Sequence, residues 1–145
     1  MCRLHKLNLL KQADTEEPFL RGMVNWSAPL DSRRWLYNDD TLAGFITLTK
    51  GANQSVRVGA VYVAPEHRGK GLAASELKKL AAKHRLEAFI NADNEASRKL
   101  FEKAGLSRGE SFHSKQAGEG HWYRNFDGSN RVGTFIRCGV IGPSR

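Results

Sequence analysis

The sequence has few cysteines, few prolines and no long apolar run. Its two cysteines, Cys2 and Cys138, lie near opposite ends and lack the paired spacing of a zinc site or a disulfide framework, so we expect free thiols and no metal. The longest apolar stretches, 42–48 and 58–64, are far shorter than the roughly 20 residues of a membrane-spanning helix. The sequence therefore predicts no transmembrane segment and no membrane partner.

The chain also lacks the features of an exported or multidomain protein. Its first residues have neither the apolar stretch nor the small-residue cleavage site of a secretory signal, which predicts a cytoplasmic location. No repeat, low-complexity tract or proline-rich linker interrupts the 145 residues. Because domains commonly run to about 100–150 residues, we expect a single domain over 1–145.

The net charge of +8 comes from 23 Lys and Arg against 15 Asp and Glu. Residues 1–66 carry 8 basic and 7 acidic side chains, whereas residues 67–108 carry 10 and 5. Most of the excess is therefore central and does not form a terminal arm of the kind that grips nucleic acid. This distribution favours an anionic partner held by the middle of a folded domain and disfavours nucleic acid.

Hydrophobic patterns predict an alternation of strands and helices. The strands expected are 3–9, 34–37, 42–48, 55–63, 87–92, 110–115, 120–126 and 132–140. Residues 38–40 join two of them in a hairpin, and 55–63 is apolar on both faces at its far end, which predicts a central position. The helices expected are a short one capped by Asp14 or Thr15, one over 72–84, and one from Asn94 to Gly105 with Ala96, Leu100, Phe101 and Ala104 facing inward. This order indicates an α/β fold with a mixed sheet.

A glycine-rich stretch, 68–71, joins the predicted central strand to the next helix. Gly69 and Gly71 let the backbone approach a ligand, while the helix N-terminus and the side chains of Arg68 and Lys70 add positive charge. The stretch matches neither the P-loop nor the dinucleotide fingerprint. It predicts an anion site, and the alternative is a plain strand-to-helix turn.

Two blocks resemble motifs of the GCN5-related N-acetyltransferase (GNAT) family. Residues 68–73, RGKGLA, are similar to the family's acetyl-CoA loop Arg/Gln-x-x-Gly-x-Gly/Ala, after an apolar strand that ends in Ala-Pro-Glu. Residues 94–106, NEASRKLFEKAGL, resemble the block Asn-x-x-Ala-x-x-Leu-Tyr-x-x-x-Gly-Phe, with a one-residue offset at the alanine. The resemblance covers 55–106 and implies a mixed, mostly antiparallel central sheet of about six or seven strands flanked by helices.

The resemblance implies that acetyl-CoA is a cosubstrate and that its acetyl group passes to a primary amine. Loop amides would hold the pyrophosphate, and Val61 and Val63 would pair with the pantetheine arm in a gap between their strand and 87–92. Asn94 would hydrogen-bond that arm, and Arg98 or Lys103 would approach the adenosine phosphates. The residues implied to contact the coenzyme are Val61, Val63, Arg68, Gly69, Lys70, Gly71, Leu72, Ala73, Ala74, Asn94, Arg98, Phe101 and Lys103.

The sequence departs from the family at the groups that move protons. Phe101 stands where the family often has a tyrosine that protonates the departing thiolate, and a phenyl ring has no proton to give. The strand 55–63 has no carboxylate where some relatives carry a glutamate base. The remaining acid or base candidates, each of which also fits an ordinary sheet residue, are Tyr62, Glu110, His113, His121 and Tyr123.

Two other functions stay open on the residues alone. A non-catalytic acyl-CoA-binding protein of the same fold would account for Phe101 and for the absent carboxylate. A small basic nucleic-acid-binding protein would use the aromatic and basic run 121–126 for stacking. An exposed C-terminal strand would also allow pairing across a homodimer.

Overall fold

The computed structural model describes residues 3–16, 28–51, 53–115 and 118–126. The helices in this part of the chain are α1 (Arg3–Glu16), α2 (Leu72–Lys83) and α3 (Glu95–Lys103). The strands are β1 (Arg34–Asn38), β2 (Thr41–Lys50), β3 (Val56–Val63), β4 (Leu86–Asn91), β5 (Ser107–Ser114) and β6 (Gly118–Arg124). None of these three helices is long and apolar enough to cross a membrane.

The six strands form one sheet in the order β1-β2-β3-β4-β6-β5. β3 and β4 pair in parallel, and the other neighbouring pairs are antiparallel. Helix α2 connects the parallel pair, because parallel strands need a long crossover between them. The predicted fold class, a mixed and mostly antiparallel sheet flanked by helices, is confirmed. The strand predicted over 132–140 lies outside the described residues.

The prediction for the N-terminal segment was wrong. Residues 3–9 belong to α1 and form no strand, while Asp14 and Thr15 lie in the last turn of that helix instead of capping a new one. Leu9, Leu10 and Ala13 are the buried residues of α1, and their spacing places them on one side of a helix. The alternation of apolar and polar residues around Leu7 and Leu9 is typical of a strand, but packing of Leu9, Leu10 and Ala13 against the sheet favours a helix.

The core occupies both faces of the sheet. On one face α2 and α3 pack through Leu77, Leu80 and Phe101 against β4 and β6. On the other face α1 packs through Leu10 and Ala13 against β2 and β3, where Phe45 and Tyr62 are almost fully buried. Burying one large apolar side chain contributes about 1.5–3 kcal/mol. The two clusters together fix α1, α2 and α3 relative to β3.

Helix α3 packs on the core through three of the four residues predicted to face inward. Phe101 and Ala104 are buried as expected, and Leu100 is half-buried, but Ala96 is exposed. The prediction for Ala96 was therefore wrong. Residues 96, 99, 100 and 103 share a second face of α3, because positions i, i+3, i+4 and i+7 lie along one side of a helix.

Strands β3 and β4 pair only at their beginning and then diverge. Their register joins Val56 with Leu86 and Arg57 with Glu87, and the described residues form no further pair between the two strands. β3 nevertheless continues to Val63 and β4 to Asn91. The two strands therefore separate at the centre of the sheet, and we call the gap between residues 58–63 of β3 and 88–91 of β4 the fork.

A β-bulge in β3 accompanies the divergence. Leu48 of β2 faces Val58, and Ile46 faces Val61, so β3 uses one residue more than β2 over this stretch. The extra residue leaves the backbone N–H of Ala60 without a strand partner, and the Thr47 hydroxyl oxygen accepts it at 2.7 Å. Gly59 allows this approach, since a Cβ there would lie 2.6 Å from Thr47 Oγ1. Bulges bend a strand and increase its twist, which turns β3 away from β4.

Candidate functional site

The glycine loop leaves the end of β3 and leads into α2. A short 3-10 turn over Pro65–His67 comes first, followed by Gly69 at φ +81° and Gly71 at φ +75°. This left-handed conformation costs roughly 1–2 kcal/mol for residues other than glycine. Apart from the adjoining residues, no atom of the described part of the chain lies within 4 Å of the position that a Cβ would take at either glycine. Glycine is therefore required at both positions by the backbone conformation and not by close packing, and the space above the loop is open.

The N-terminus of α2 faces this open space. Gly71 is its N-cap residue, no side chain caps the helix, and its first turn contains no acidic residue. The first backbone N–H groups of a helix have no partner within the helix, and its dipole places partial positive charge there. The arrangement suits an anionic ligand that approaches the backbone closely.

A pocket of about 280 Å³ lies between the loop, the first turn of α2 and one face of α3. It is lined by Val63, His67, Arg68, Gly69, Gly71, Leu72, Ala73, Ala74, Ala96, Lys99, Leu100 and Lys103. Among the described residues, this lining contains basic side chains and no carboxylate. Its charge is therefore positive from three sources: the helix N-terminus, the loop and α3.

The two lysines of α3 differ in their partners. Lys99 Nζ lies 3.3 Å from Glu95 Oε2, one helical turn away, and this carboxylate partly offsets its charge. Lys103 lies in the last turn of α3, lines the same pocket and forms no ion pair with any described residue. Lys103 is therefore the more available of the two cations for a bound anion.

Eight of the residues expected to contact the coenzyme line the pocket. They are Val63, Arg68, Gly69, Gly71, Leu72, Ala73, Ala74 and Lys103. Four lining residues were not anticipated, namely His67, Ala96, Lys99 and Leu100. Three of these four lie on the 96–99–100–103 face of α3, so helical spacing measured from Lys103 would have found them.

The other five expected residues lie elsewhere. Phe101 is 4% exposed and packs in the core, so its ring does not line the pocket. Asn94 caps α3, where its Oδ1 accepts the Ser97 N–H at 3.1 Å. Arg98 lies 3.7 Å from Glu95 and Lys70 is exposed on the loop, and neither lines the pocket. Val61 is half-buried beside the fork.

The backbone of β3 offers hydrogen-bonding groups to the fork. The Ala64 N–H donates to the Ala43 carbonyl at 2.8 Å, so the even-numbered residues at this end of β3 bond to β2. Successive residues of a strand direct their N–H and C=O groups to opposite edges. Those of Val61 and Val63 therefore face β4 across the fork, where no ladder pairing occurs among the described residues. Val63 also lines the pocket, so fork and pocket are continuous.

The tyrosines and histidines considered for proton transfer are placed differently from one another. Tyr62 is 2% exposed, and burial together with the Glu16 carboxylate raises its pKa to about 12. Burial also raises the pKa of Tyr123, which lies in the core beside α3. His113 is exposed and lies 2.8 Å from Glu119, whereas His121 is half-buried on β6. None of these side chains lines the pocket.

A cluster of charged side chains lies where the fork begins, at the last paired residues of β3 and β4. Glu87 is 1% exposed and accepts hydrogen bonds from Arg57, its partner in the parallel register, the Nε bond measuring 2.8 Å. Arg124 Nε lies 3.5 Å from the other oxygen of Glu87, and its guanidinium also donates twice to Glu110. Glu110 is therefore committed to Arg124. The cluster is neutral overall, and it holds β3, β4 and β6 together where the strands are closest.

Sequence and structural comparisons place this chain in a known family. The model of the acetyltransferase (GNAT) family matches residues 4–106. The chain belongs to the GNAT family. No curated protein matches it at a significant level.

Solved structures agree on the GNAT fold. A GNAT acetyltransferase from Bacillus cereus ATCC 10987 is similar over 86% of this chain and 92% of its own, with a TM-score of 0.65 and 17% identity. A GNAT acetyltransferase from Bacillus anthracis is similar over 83% of this chain and 84% of its own, with a TM-score of 0.58 and 20% identity. A chain of the NatB acetyltransferase complex bound to CoA and MES is similar over 85% of this chain and 94% of its own, with a TM-score of 0.59 and 16% identity. At these identities the likeness concerns the fold.

Proposed function

We propose that this GNAT protein is an acetyl-CoA-dependent N-acetyltransferase whose acceptor is a primary amine. The observation that carries the proposal is the continuity of the basic pocket with the fork through Val63. A coenzyme with an anionic head and an amide-containing arm fits that sequence of environments. Acetyl-CoA supplies an activated acetyl group that an amine can take directly, with a thiol as the leaving group.

The pocket would take the pyrophosphate end. The N–H groups at the start of α2 donate to phosphate oxygens, and the φ of Gly69 and Gly71 keeps the loop backbone close to them. Lys103 and Lys99 contribute charge from the opposite wall. The residues present therefore suit a diphosphate. A plain strand-to-helix turn would not need this combination of free helix N–H groups and facing lysines.

The fork would take the pantetheine arm. Amide groups in the arm pair with the backbone of Val61 and with the N–H of Val63, as a neighbouring strand would, while the Val63 carbonyl accepts from Arg68 Nε. Because α2 and α3 cover one face of the sheet, the amine must reach the fork from the face that α1 partly covers. An amine attacking the thioester carbon forms the C–N bond while the C–S bond breaks, and its proton leaves to a base or to water.

The described side chains suggest that proton transfer relies on water more than on a buried phenol. A phenol with a pKa of about 12 is a poor partner for a departing thiolate, whose thiol has a pKa of about 8.5. Phe101 cannot donate a proton from α3. We propose that the thiolate leaves without a tyrosine acid in this protein.

The test is release of free thiol from acetyl-CoA in the presence of a panel of amines. The panel contains polyamines, amino acids, aminoglycosides, and peptides with a free N-terminus or a lysine. Thiol release that depends on one class of amine, with the acetylated amine identified by mass spectrometry, supports the proposal. Failure of every amine together with no calorimetric binding of CoA would reject it.

A matched pair of glycine variants locates the activity in the pocket. Gly71→Ala and Gly105→Ala both place a side chain at positive φ with open space around it. Both should therefore cost some stability, and Gly105→Ala at φ +102° at least as much as Gly71→Ala at φ +75°, but of the two only Gly71 lines the pocket. We expect Gly71→Ala to weaken CoA binding at least tenfold and Gly71→Val to abolish it, while Gly105→Ala leaves it within about twofold. Equal effects of the two alanine variants would place the coenzyme elsewhere.

A second candidate function is a non-catalytic acyl-CoA-binding protein. It is favoured by the burial of Phe101, Tyr62 and Tyr123, because no tyrosine stands among the described residues that line the pocket. The same assay separates the two functions. Tight binding of CoA without amine-dependent thiol release would favour the binding protein.

A further inference from the structure

The guanidinium of Arg68 is engaged with protein groups on two sides. Its Nε donates to the Val63 carbonyl at 2.7 Å, and its Nη2 donates to Glu16 Oε2 at 2.8 Å. The group also lies 5.7 Å from the ring centroid of Tyr62. Arg68 thus contacts the end of β3 and the end of α1, although it lines the pocket and belongs to the glycine loop.

Glu16 is itself anchored in the core through Tyr62. The Tyr62 hydroxyl donates to Glu16 Oε1 at 2.5 Å and accepts from Gln12 Nε2 at 3.2 Å. These bonds, first that from Tyr62 and then that from Arg68, lower the pKa of Glu16, so its carboxylate is charged at neutral pH. A buried tyrosine therefore fixes the carboxylate that receives Arg68.

We propose that Arg68 is a positioning residue that braces the glycine loop against Glu16 and Val63, and that its side chain is not a phosphate ligand. The inference rests on the proposed function only for its effect on the coenzyme. The brace fixes the loop over β3 and fixes the carbonyl of Val63, and both features border the path from the pocket to the fork. Phosphate recognition then falls to the backbone amides of α2 and to the lysines of α3.

The direction in which neutralising Glu16 changes CoA affinity distinguishes a positioning role of Arg68 from direct phosphate binding. Glu16 carries negative charge next to a site for an anion, so electrostatics alone predicts that its neutralisation strengthens CoA binding. A brace predicts the reverse, because Arg68 loses the partner that holds it in place. The same reasoning applies to Arg68→Lys, which keeps the charge but cannot reach both partners with one planar group.

The first experiment needs no coenzyme. Thermal unfolding is measured for wild type, Glu16→Gln, Arg68→Gln and the double variant. A brace predicts that each single change lowers Tm by about 2–4 °C and that the double variant falls little further, since the second change removes an interaction already lost. Additive shifts would show that the two residues are not coupled, and they would overturn the proposal whether or not the protein binds CoA.

The second experiment measures CoA dissociation constants by calorimetry for Glu16→Gln and Arg68→Lys. Glu66→Gln is the matched control, because Glu66 is an exposed carboxylate beside the same loop and forms no hydrogen bond or ion pair within the described residues. We expect both variants to bind CoA about five- to twentyfold more weakly and Glu66→Gln to bind equally well or slightly better. Tighter binding by Glu16→Gln, or wild-type affinity in Arg68→Lys, would contradict the brace.

Discussion

The hydroxyl oxygen of Thr47 accepts the backbone N–H of Ala60 at 2.7 Å in a buried position. This bond satisfies the donor that the bulge in β3 removes from the ladder with β2. An unsatisfied buried N–H costs about 1–3 kcal/mol, so the bulge depends on this side chain. One threonine on β2 thereby supports the fork on the other side of β3.

Replacing that threonine should destabilise the protein. Thr47→Val keeps the shape of the side chain but removes the acceptor, and we expect a loss of about 1–3 kcal/mol in the free energy of unfolding. Chemical denaturation measures it. Thr49→Val, at an exposed position on the same strand, is the control and should change stability by less than about 0.5 kcal/mol. Equal stability of the two variants would mean that the bulge does not need the hydroxyl.

The buried carboxylate at the fork root should be more sensitive still. Glu87→Gln leaves Arg57 and Arg124 without their shared negative partner, and breaking a buried ion pair commonly costs about 3–5 kcal/mol. Glu76→Gln is the comparison, because the pair of Glu76 with Arg34 is more exposed and loses about 0–1 kcal/mol. Denaturation midpoints measure both. A small effect at Glu87 would show that water reaches the cluster.

Lys103 should contribute to affinity through charge. Lys103→Gln is expected to raise the CoA dissociation constant about three- to tenfold at low salt, with less difference at high salt because the lysine lies at the surface. Lys99→Gln should have a smaller effect, since Glu95 already offsets its charge. Lys83→Gln, a substitution outside the pocket in the last turn of α2, controls for net charge. Titrations at two ionic strengths decide the matter, and equal losses in all three variants would argue against a local contact.

Tyr62 should make stability fall at alkaline pH. Its pKa is raised to about 12 in the folded protein and is about 10 when unfolded, so the neutral phenol is favoured by folding. Its contribution is fully present below pH 10 and is lost as pH rises from 10 towards 12, by up to about 2–3 kcal/mol. We therefore expect the stability difference between wild type and Tyr62→Phe to shrink over that range.

The control for this pH dependence is Tyr37→Phe, because Tyr37 is 41% exposed. Its difference from wild type should stay small throughout the range. Urea denaturation at a series of pH values measures both variants. A difference for Tyr62→Phe that does not change with pH would show that the phenol titrates normally.

Much of the site could be predicted from local sequence. The loop 68–71 and the first turn of α2 depend on glycine conformation and on the start of an amphipathic helix, which neighbouring residues determine. Gly69, Gly71 and Ala73, which the sequence analysis expects to contact the coenzyme, line the pocket. Local pattern gave most of the inward face of α3, since Leu100, Phe101 and Ala104 pack on the core, but it placed Ala96 there wrongly, because only packing on the sheet determines how far the buried face extends.

The sequence by itself determined the mixed sheet, its two connecting helices, the central positive charge and the resemblance to the GNAT family, because each is carried by residues close together in the chain. Only the tertiary structure decided that residues 3–9 are helical, that Tyr62 is buried, and that Arg68 turns towards α1. The physical reason is separation: Glu16 lies 52 residues before Arg68 and 46 before Tyr62, so contacts of this kind leave no local pattern.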